Sequence, residues 1–197
     1  EEAAWEAKGV SAALSFGYQA VDRDRTLTKR VEVRNYSTST RTYTITPSFR
    51  YADDEASGAV KLSAPSTVVV GPNRSAVFTV TLSIDADKLP EWVLDGGPNG
   101  GNGGLLAANE FDGYLTVSGG GDTVHLPWHV LPHRVADVTV NKDTVKLGTK
   151  PVDVTLKNKT RSGQVGTAEV FALTGTSPRI PKRELPGPGD NFALVDL

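Results

Sequence analysis

Three evenly spaced histidines, His125, His129 and His133, are the first residues of this chain whose types could do chemistry. On a helix, side chains four apart share a face and could share a zinc ion. Here Pro127 stands among them, and Val124, Leu126, Trp128 and Val130 alternate with them. That is strand periodicity, which separates positions four apart by roughly 13 Å, too far to ligate one ion. The expectation is therefore polar residues on a sheet's outer face, and no metal or other cofactor is assigned.

The acidic groups Asp22/Asp24, Asp53/Asp54/Glu55 and Asp85/Asp87 offer the clustered oxygens that calcium takes. None has the loop pattern with Gly at the sixth position and Glu at the twelfth, so turn capping is the expected role. Trp5, Trp92 and Trp128 could stack on a sugar. Trp128 lies on the apolar parity of its segment and is assigned to the core. Trp92, beside Pro90 and a Gly-rich run, reads first as a loop anchor, and it is the one tryptophan singled out as a ligand-contact candidate. Asn35, Asn73 and Asn158 fit the Asn-x-Ser/Thr acceptor pattern, but each falls at an expected turn, where Asn is favoured for its own reasons. The Gly-rich run from Asp95 to Gly104 has neither the Lys-Ser/Thr ending nor the flanking helix of a phosphate cradle.

The elements that must carry these residues read as strands. From Leu27 to Tyr51, Leu27, Val31 and Val33 share one parity, as do Tyr43, Ile45, Phe49 and Tyr51. Thr42, Thr44, Thr46 and Ser48 hold the other, which is the pattern of a half-buried antiparallel strand. Asn35, Ser37, Thr38 and Ser39 break the run as a turn. Residues 1–9 read as an entry segment. Ala12, Leu14 and Phe16 alternate up to Gly17. Asp53 to Gly58 reads as a polar loop, and Val68–Val70 as a short strand. The cleanest alternation puts Ala76, Phe78, Val80, Leu82 and Ile84 on one face. Residues 91–110 read as a mobile surface excursion. Phe111–Ser118 and Thr123–Leu131 form a hairpin, with Pro127 implying an edge position or a bulge.

Pro132, His133 and Arg134 mark a boundary. Strands are expected at Val138/Val140, Val145/Leu147, Val152–Leu156, Val165–Leu173 and Phe192–Leu197, with a Pro/Gly loop over 178–189. The two units echo each other weakly. Leu14-Ser15-Phe16-Gly17 parallels Val145-Lys146-Leu147-Gly148, and Val31–Asn35 parallels Val154–Asn158.

The 197 residues suit one or two domains, and 38% hydrophobic residues suffice for a core. A net charge of -2 without Lys/Arg clustering excludes a nucleic-acid footprint. No run approaches the roughly 18 apolar residues of a membrane span. With no Cys, disulfides, thiolate nucleophiles and Cys-based zinc sites are all excluded. The opening EEAAWEAKG lacks a signal peptide's basic start and apolar middle, so an exported protein is expected to be represented here by a mature or excised segment.

Residues 14–134 resemble the fibronectin type III-like domain that follows the catalytic domain of large secreted bacterial subtilisin-like serine peptidases. The resembling residues are Leu14–Gly17, Leu27–Asn35, Thr42–Ile45, Val70–Asn73, Phe111–Leu115 and Val124–Val130. The strand pattern, the boundary at 132–134 and the internal echo make the expected fold class all-β, with two immunoglobulin/fibronectin type III-like sandwiches in tandem, over 1–134 and 135–197. The second is short against the roughly 100 residues of such a sandwich, and the expectation is that it is truncated. The function implied by the resemblance is that of an extracellular, non-catalytic accessory region, partnered with the parent peptidase's catalytic domain and with protein substrate. A cell-surface adhesion or carbohydrate-binding module and a passive spacer are the alternatives. Gly175-Thr176-Ser177 resembles the run before a subtilase nucleophile. Pro178 follows it, however, and neither an Asp-Thr/Ser-Gly nor a His-Gly motif is present to complete a triad. Ser177 is read as a turn residue, and no catalytic residue is assigned.

Overall fold

Alternating stretches of the sequence become strands, and their parity decides which side chains meet. The computed structural model describes residues 2–95, 101–142, 152–165, 171–173 and 194–196. The chain divides into two compact units, Glu1–Asp137 with Asn158–Val165, and Val138–Lys157 with Gly166–Leu197.

The first unit carries β1 (Glu2–Glu6), β2 (Leu14–Val21), β3 (Arg25–Asn35), β4 (Arg41–Phe49), α1 (Ala52–Ser57), β5 (Val60–Ser63), β6 (Thr67–Val70), β7 (Ser75–Ile84), β8 (Phe111–Gly119) and β9 (Asp122–Arg134). Their order is β1-β3-β7-β5 in one sheet and β2-β9-β8-β4-β6 in the other. Labelling β1, β3, β4, β5, β7, β8 and β9 as A to G gives A-B-E-D facing G-F-C, the immunoglobulin arrangement. The strands β2 and β6 widen the second sheet at its two edges. Val31 and Val33 from β3, with Val80 and Leu82 from β7, are fully buried among Leu14, Leu115, Leu126 and Val130 of the opposite sheet.

Several expectations are corrected. Residues 2–6 form a strand, with Trp5 opposite Glu32 on β3. The strand β2 does not stop at Gly17. The pairing register with β9 shifts between Ser15 and Gly17, and Gly17 adopts φ 67. Leu14 and Phe16 face the core before this bulge and Val21 after it, so the buried parity switches and Tyr18 turns outward. Pro127 lies on β9, between β2 and β8, and is not on an edge strand. The β2 ladder begins only at Trp128, so Pro127 has a strand neighbour on one side. Pro47 is placed the same way, since β6 pairs with Arg41–Thr44 only.

The acidic run expected as a loop is α1. Asp53, Asp54 and Glu55 lie in its first turn, where carboxylates complement the helix dipole, and Gly58 closes it at φ 63. Tyr51 lies beyond the end of β4 and is 40% exposed, so it does not continue the buried face. Val60 and Leu62 of β5 are buried but too few to show a period.

Asp54 has a cost attached. Its Oδ2 is buried without a hydrogen-bond partner among the described residues. Burial, then the nearby Asp53 and Asp112, raise its pKa to about 6. A carboxyl raised above its unfolded value stabilises the fold while protonated, and that contribution is lost as pH rises from about 4 to about 6. Asp54→Asn is therefore expected to stabilise the protein at pH 7 by on the order of 1 kcal/mol, solvent screening the rest of the shift. The gain should vanish near pH 4 in paired urea titrations. An equal gain at both pH values would show that ionisation is not its cause.

In the second unit, β10 (Val138–Val140) pairs with β11 (Leu156–Asn158), and β12 (Phe171–Leu173) pairs antiparallel with β13 (Leu194–Asp196). Described residues 152–155, expected in a strand, are outside one. The expected strand at Val145/Leu147, its echo through Gly148, Ser177 and the 178–189 loop all lie outside the described residues. The sandwich established by these strands is that of the first unit.

Candidate ligand-binding site

The chemistry-bearing residues part company in the fold. His125, His129 and His133 alternate with buried Leu126, Trp128 and Val130, and each has its own partner. His125 Nδ1 lies 3.1 Å from Thr116 Oγ1, His129 Nε2 lies 2.8 Å from Ser15 Oγ, and His133 Nδ1 lies 3.0 Å from Tyr18 Oη. Among the described residues, no three His, Asp or Glu side chains converge as a metal site.

The acidic pairs serve as caps and ion partners. Asp24 Oδ1 accepts the Ala86 amide at 3.0 Å, and Asp85 Oδ1 accepts that of Asp87 at 3.2 Å. Asp85 also meets Lys88 Nζ at 2.9 Å, which holds the carboxyl below its usual range. Asp22 bonds Arg23, with the same effect.

Asn35 and Asn158 repeat one device. Each side-chain oxygen accepts the amide two residues on, Ser37 at 2.9 Å and Thr160 at 3.0 Å. Each Nδ2 donates to a carbonyl further along, Ser39 and Gln164, at 2.8 Å in both cases. Asn35 is 0% exposed with its amide consumed, so its acceptor pattern is not available for glycosylation. Asn73 adopts φ 53, a left-handed conformation that Asn tolerates better than most side chains.

Trp92 is the centre of a built cluster. Its indole stacks on His133, with ring centroids 3.9 Å apart and planes 12° from parallel. Tyr18 meets both rings edge-on, at 6.2 Å from Trp92 and 6.1 Å from His133. The indole N–H donates to Asp95 Oδ1 at 3.0 Å. Burial lowers the His133 pKa while Asp95 opposes that shift, which favours a neutral imidazole against the indole.

Asn109 holds the backbone on both sides of Trp92. This buried side chain donates to Glu91 O at 2.8 Å and accepts the Val93 amide at 3.1 Å. The amide of Asn102 reaches Leu94 O at 2.7 Å, and Gly103–Ala108 forms a 3-10 helix. The described parts of the expected excursion are thus tied into the unit. A cleft of about 370 Å³ opens beside Trp92, lined also by Glu91, Asp95, His133, Arg134 and Gln164.

Sequence reading singled out Trp92 but not Tyr18, His133 and Asn109 as its neighbours in the fold. The bulge at Gly17 aims Tyr18 outward, and the Asn109 clamp spans positions far apart in sequence. Neither leaves a periodic signal.

These features define the class, an immunoglobulin-like β-sandwich with an aromatic cluster beside a polar cleft. No family model matches the chain, and no curated protein matches it in sequence. Among solved structures, it is similar to a FixG-related protein from Vibrio parahaemolyticus at 11% identity and TM-score 0.40, covering 67% of this chain and 94% of that one. It is also similar to a family 123 glycoside hydrolase from Clostridium perfringens at 9% identity and TM-score 0.41, covering 68% of this chain and 28% of that one. A third likeness is to the Vibrio cholerae VesB protease, at 12% identity and TM-score 0.34, covering 67% of this chain and 31% of that one. These are distant likenesses and define no family for this chain.

Proposed function

We propose that this chain is a non-catalytic accessory module of a secreted subtilisin-like serine peptidase, bracing the catalytic domain or holding protein substrate near it. The observation that carries this reading is the placement of the resembling segments. Leu14–Gly17, Leu27–Asn35, Thr42–Ile45, Val70–Asn73, Phe111–Leu115 and Val124–Val130 all fall on strands, or on the turns that join them, in one sandwich. His125, His129 and His133, with Asp22, Asp24 and Asp85, are engaged in sheet-face hydrogen bonds, caps and ion pairs, which suits a scaffold. Its place is outside the cell, and its partner is the peptidase's catalytic domain.

The chain incubated with casein is expected to release no peptides. Proteolysis that disappears in Ser177→Ala would overturn the non-catalytic reading. The parentage is tested by the residues encoded upstream of Glu1, where a Gly-Thr-Ser nucleophile motif with its Asp and His partners is expected. An unrelated upstream sequence would reject a peptidase parent.

A further inference from the structure

The strand β1 covers only part of β3. It pairs with Val31–Asn35, whereas β7 pairs with β3 from Arg25 to Arg34. The chain leaves β3 at Ala7, whose amide donates to Arg30 O at 2.8 Å. In an antiparallel ladder, alternate residues turn both main-chain groups toward the same neighbour. Arg30 O faces the β1 side, so the N–H and C=O of Thr28 and Thr26 face that side too. Among the described residues, nothing pairs with them there. Arg25–Lys29 is therefore a free edge, roughly 17 Å long at about 3.4 Å per residue, which is an ordinary strand length.

A cleft of about 460 Å³ opens along this edge, between β3 and β2. Phe16 of β2 and Leu27 of β3 give it apolar surface, and Lys8, Lys29 and Arg30 give it positive charge. Its one carboxylate, Glu6, is buried and accepts the amides of Lys8 and Gly9 at 3.2 and 2.7 Å. No ion pair among the described residues includes any of the three cations. Lys29 sets the condition for entry. It shares the inward parity of Leu27 and Val31, and its Nζ lies 5.9 Å from the centre of the Phe16 ring. A wholly apolar strand laid along β3 would bury that ammonium without a partner, which guards the edge against indiscriminate pairing. A second copy pairing through the same edge would bring Arg25, Lys29 and Arg30 of the two chains together, like charge against like. A strand with carboxylates at its N-terminal end meets Lys8, Lys29 and Arg30 with the opposite sign.

We propose that the free edge of β3 receives an extended acidic segment of a partner protein as an added strand. The segment runs antiparallel to β3, following the line of β1. Its inward carboxylate lies beside Lys29, the carboxylate before it faces Lys8 and Arg30, and an apolar side chain two residues on covers Leu27 and Phe16. Its main chain exchanges hydrogen bonds with Thr28 and Thr26, so that pairing supplies affinity and the alternate side chains supply specificity. The proposal does not rest on the peptidase reading, and the casein result leaves it untouched.

The test is calorimetry of the full chain with the acetylated peptide GEETVTG, whose second Glu is set opposite Lys29, joined to hydrogen exchange at the Thr26 and Thr28 amides. GKKTVTG reverses the charge, GEEPVTG removes the amide that would donate to Thr28 O, and heparin offers anionic charge without a peptide main chain. GEETVTG is expected to bind with a Kd between about 10 µM and 1 mM. At saturation the Thr26 and Thr28 amides should exchange roughly tenfold more slowly. GKKTVTG and GEEPVTG should each bind roughly tenfold more weakly or worse, as should GEETVTG to Lys29→Gln. The unfolding midpoint of Lys29→Gln should stay close to that of the parent chain, and the Pro peptide keeps the test meaningful if that variant disturbs the fold. Three results would overturn the proposal: no GEETVTG binding at about 10 mM, whether or not heparin binds; equal binding of GEEPVTG with unchanged exchange at Thr26 and Thr28; or binding undiminished in a folded Lys29→Gln.

Discussion

Asn35→Asp is expected to destabilise the first unit by about 4 kcal/mol, the sum of a few lost or reversed buried hydrogen bonds at about 1–3 kcal/mol each. Asn35 ends β3, and its side chain ties that strand to two other parts of the chain. Nδ2 faces Ser39 O at 2.8 Å, Val70 O at 3.1 Å and Gly71 O at 3.1 Å. Oδ1 accepts the Ser37 amide at 2.9 Å and the Ser37 hydroxyl at 2.7 Å. Only an amide can donate on one side and accept on the other in this shape. Aspartate is nearly isosteric but turns an acceptor toward three carbonyls with no water to relieve it.

Asn35→Ala removes the same bonds without adding a charge, so its penalty should be smaller, at about 3 kcal/mol. The pH dependence separates the two. The introduced carboxyl, buried and facing oxygens, would have its folded-state pKa raised, so the stability it permits is present at low pH and lost as pH rises through that value. The gap between Asn35→Asp and the parent should narrow toward pH 3.5 in urea titrations, while the Asn35→Ala gap should not. Equal, pH-independent losses of under about 1 kcal/mol in both variants would show that the site is not a buried knot.

The contrast between Asn35 and Tyr18 shows what the sequence could and could not reveal. β3, β4, β7, β8 and β9 were legible because each alternates over eight or more residues and buries one face only. Asn35 could be read as the end of a strand, since Asn35 with Ser37, Thr38 and Ser39 is a turn signal. That its amide also reaches Val70 and Gly71 depends on pairings made elsewhere in the sandwich. β5 has just Val60 and Leu62 to display. At Gly17 one inserted residue reverses the parity, so Ala12, Leu14 and Phe16 appeared to stop where the strand in fact continues. The acidic first turn and Gly58 of α1 were a readable helix signal, passed over because six residues leave no room for an apolar stripe.

The same limit governs the site. Trp92 could be picked out as an aromatic beside a Gly-rich run, and the structure leaves it half-buried. His133 was read only as the third member of a histidine series and as part of a boundary. Its role as a stacking partner follows from β9 and the 91–95 segment lying side by side, a long-range fact. The period of β9 correctly dispersed the three histidines, and the structure supplies the hydroxyls of Thr116, Ser15 and Tyr18 that each of them meets.

Gly113 shows how a residue with no side chain sets the spacing of a sheet. It lies on β8, opposite Trp128 of β9 and Phe49 of β4. The Trp128 indole N–H donates to Ser48 O on β4 at 3.0 Å, and its ring meets Phe49 edge-on at 5.0 Å. A Cβ at Gly113 would stand 2.0 Å from that same Ser48 O and 2.8 Å from Phe49 Cα. Both are backbone atoms, which cannot rotate aside. Gly113→Ala must therefore push β4 away from β8, and the shift moves the acceptor that the buried indole needs. The expected loss is about 3–5 kcal/mol, combining overpacking with one buried hydrogen bond. Trp128→Phe alone removes that bond and some volume, at about 2 kcal/mol. Because both changes act on Ser48 O, the double variant should be less destabilised than the sum of the singles by about 1 kcal/mol. Strict additivity in denaturant titrations would mean that the methyl is accommodated elsewhere. A Gly113→Ala protein as stable as the parent would mean that β4 and β8 can separate without cost, contrary to the close approach that the Trp128–Ser48 bond requires.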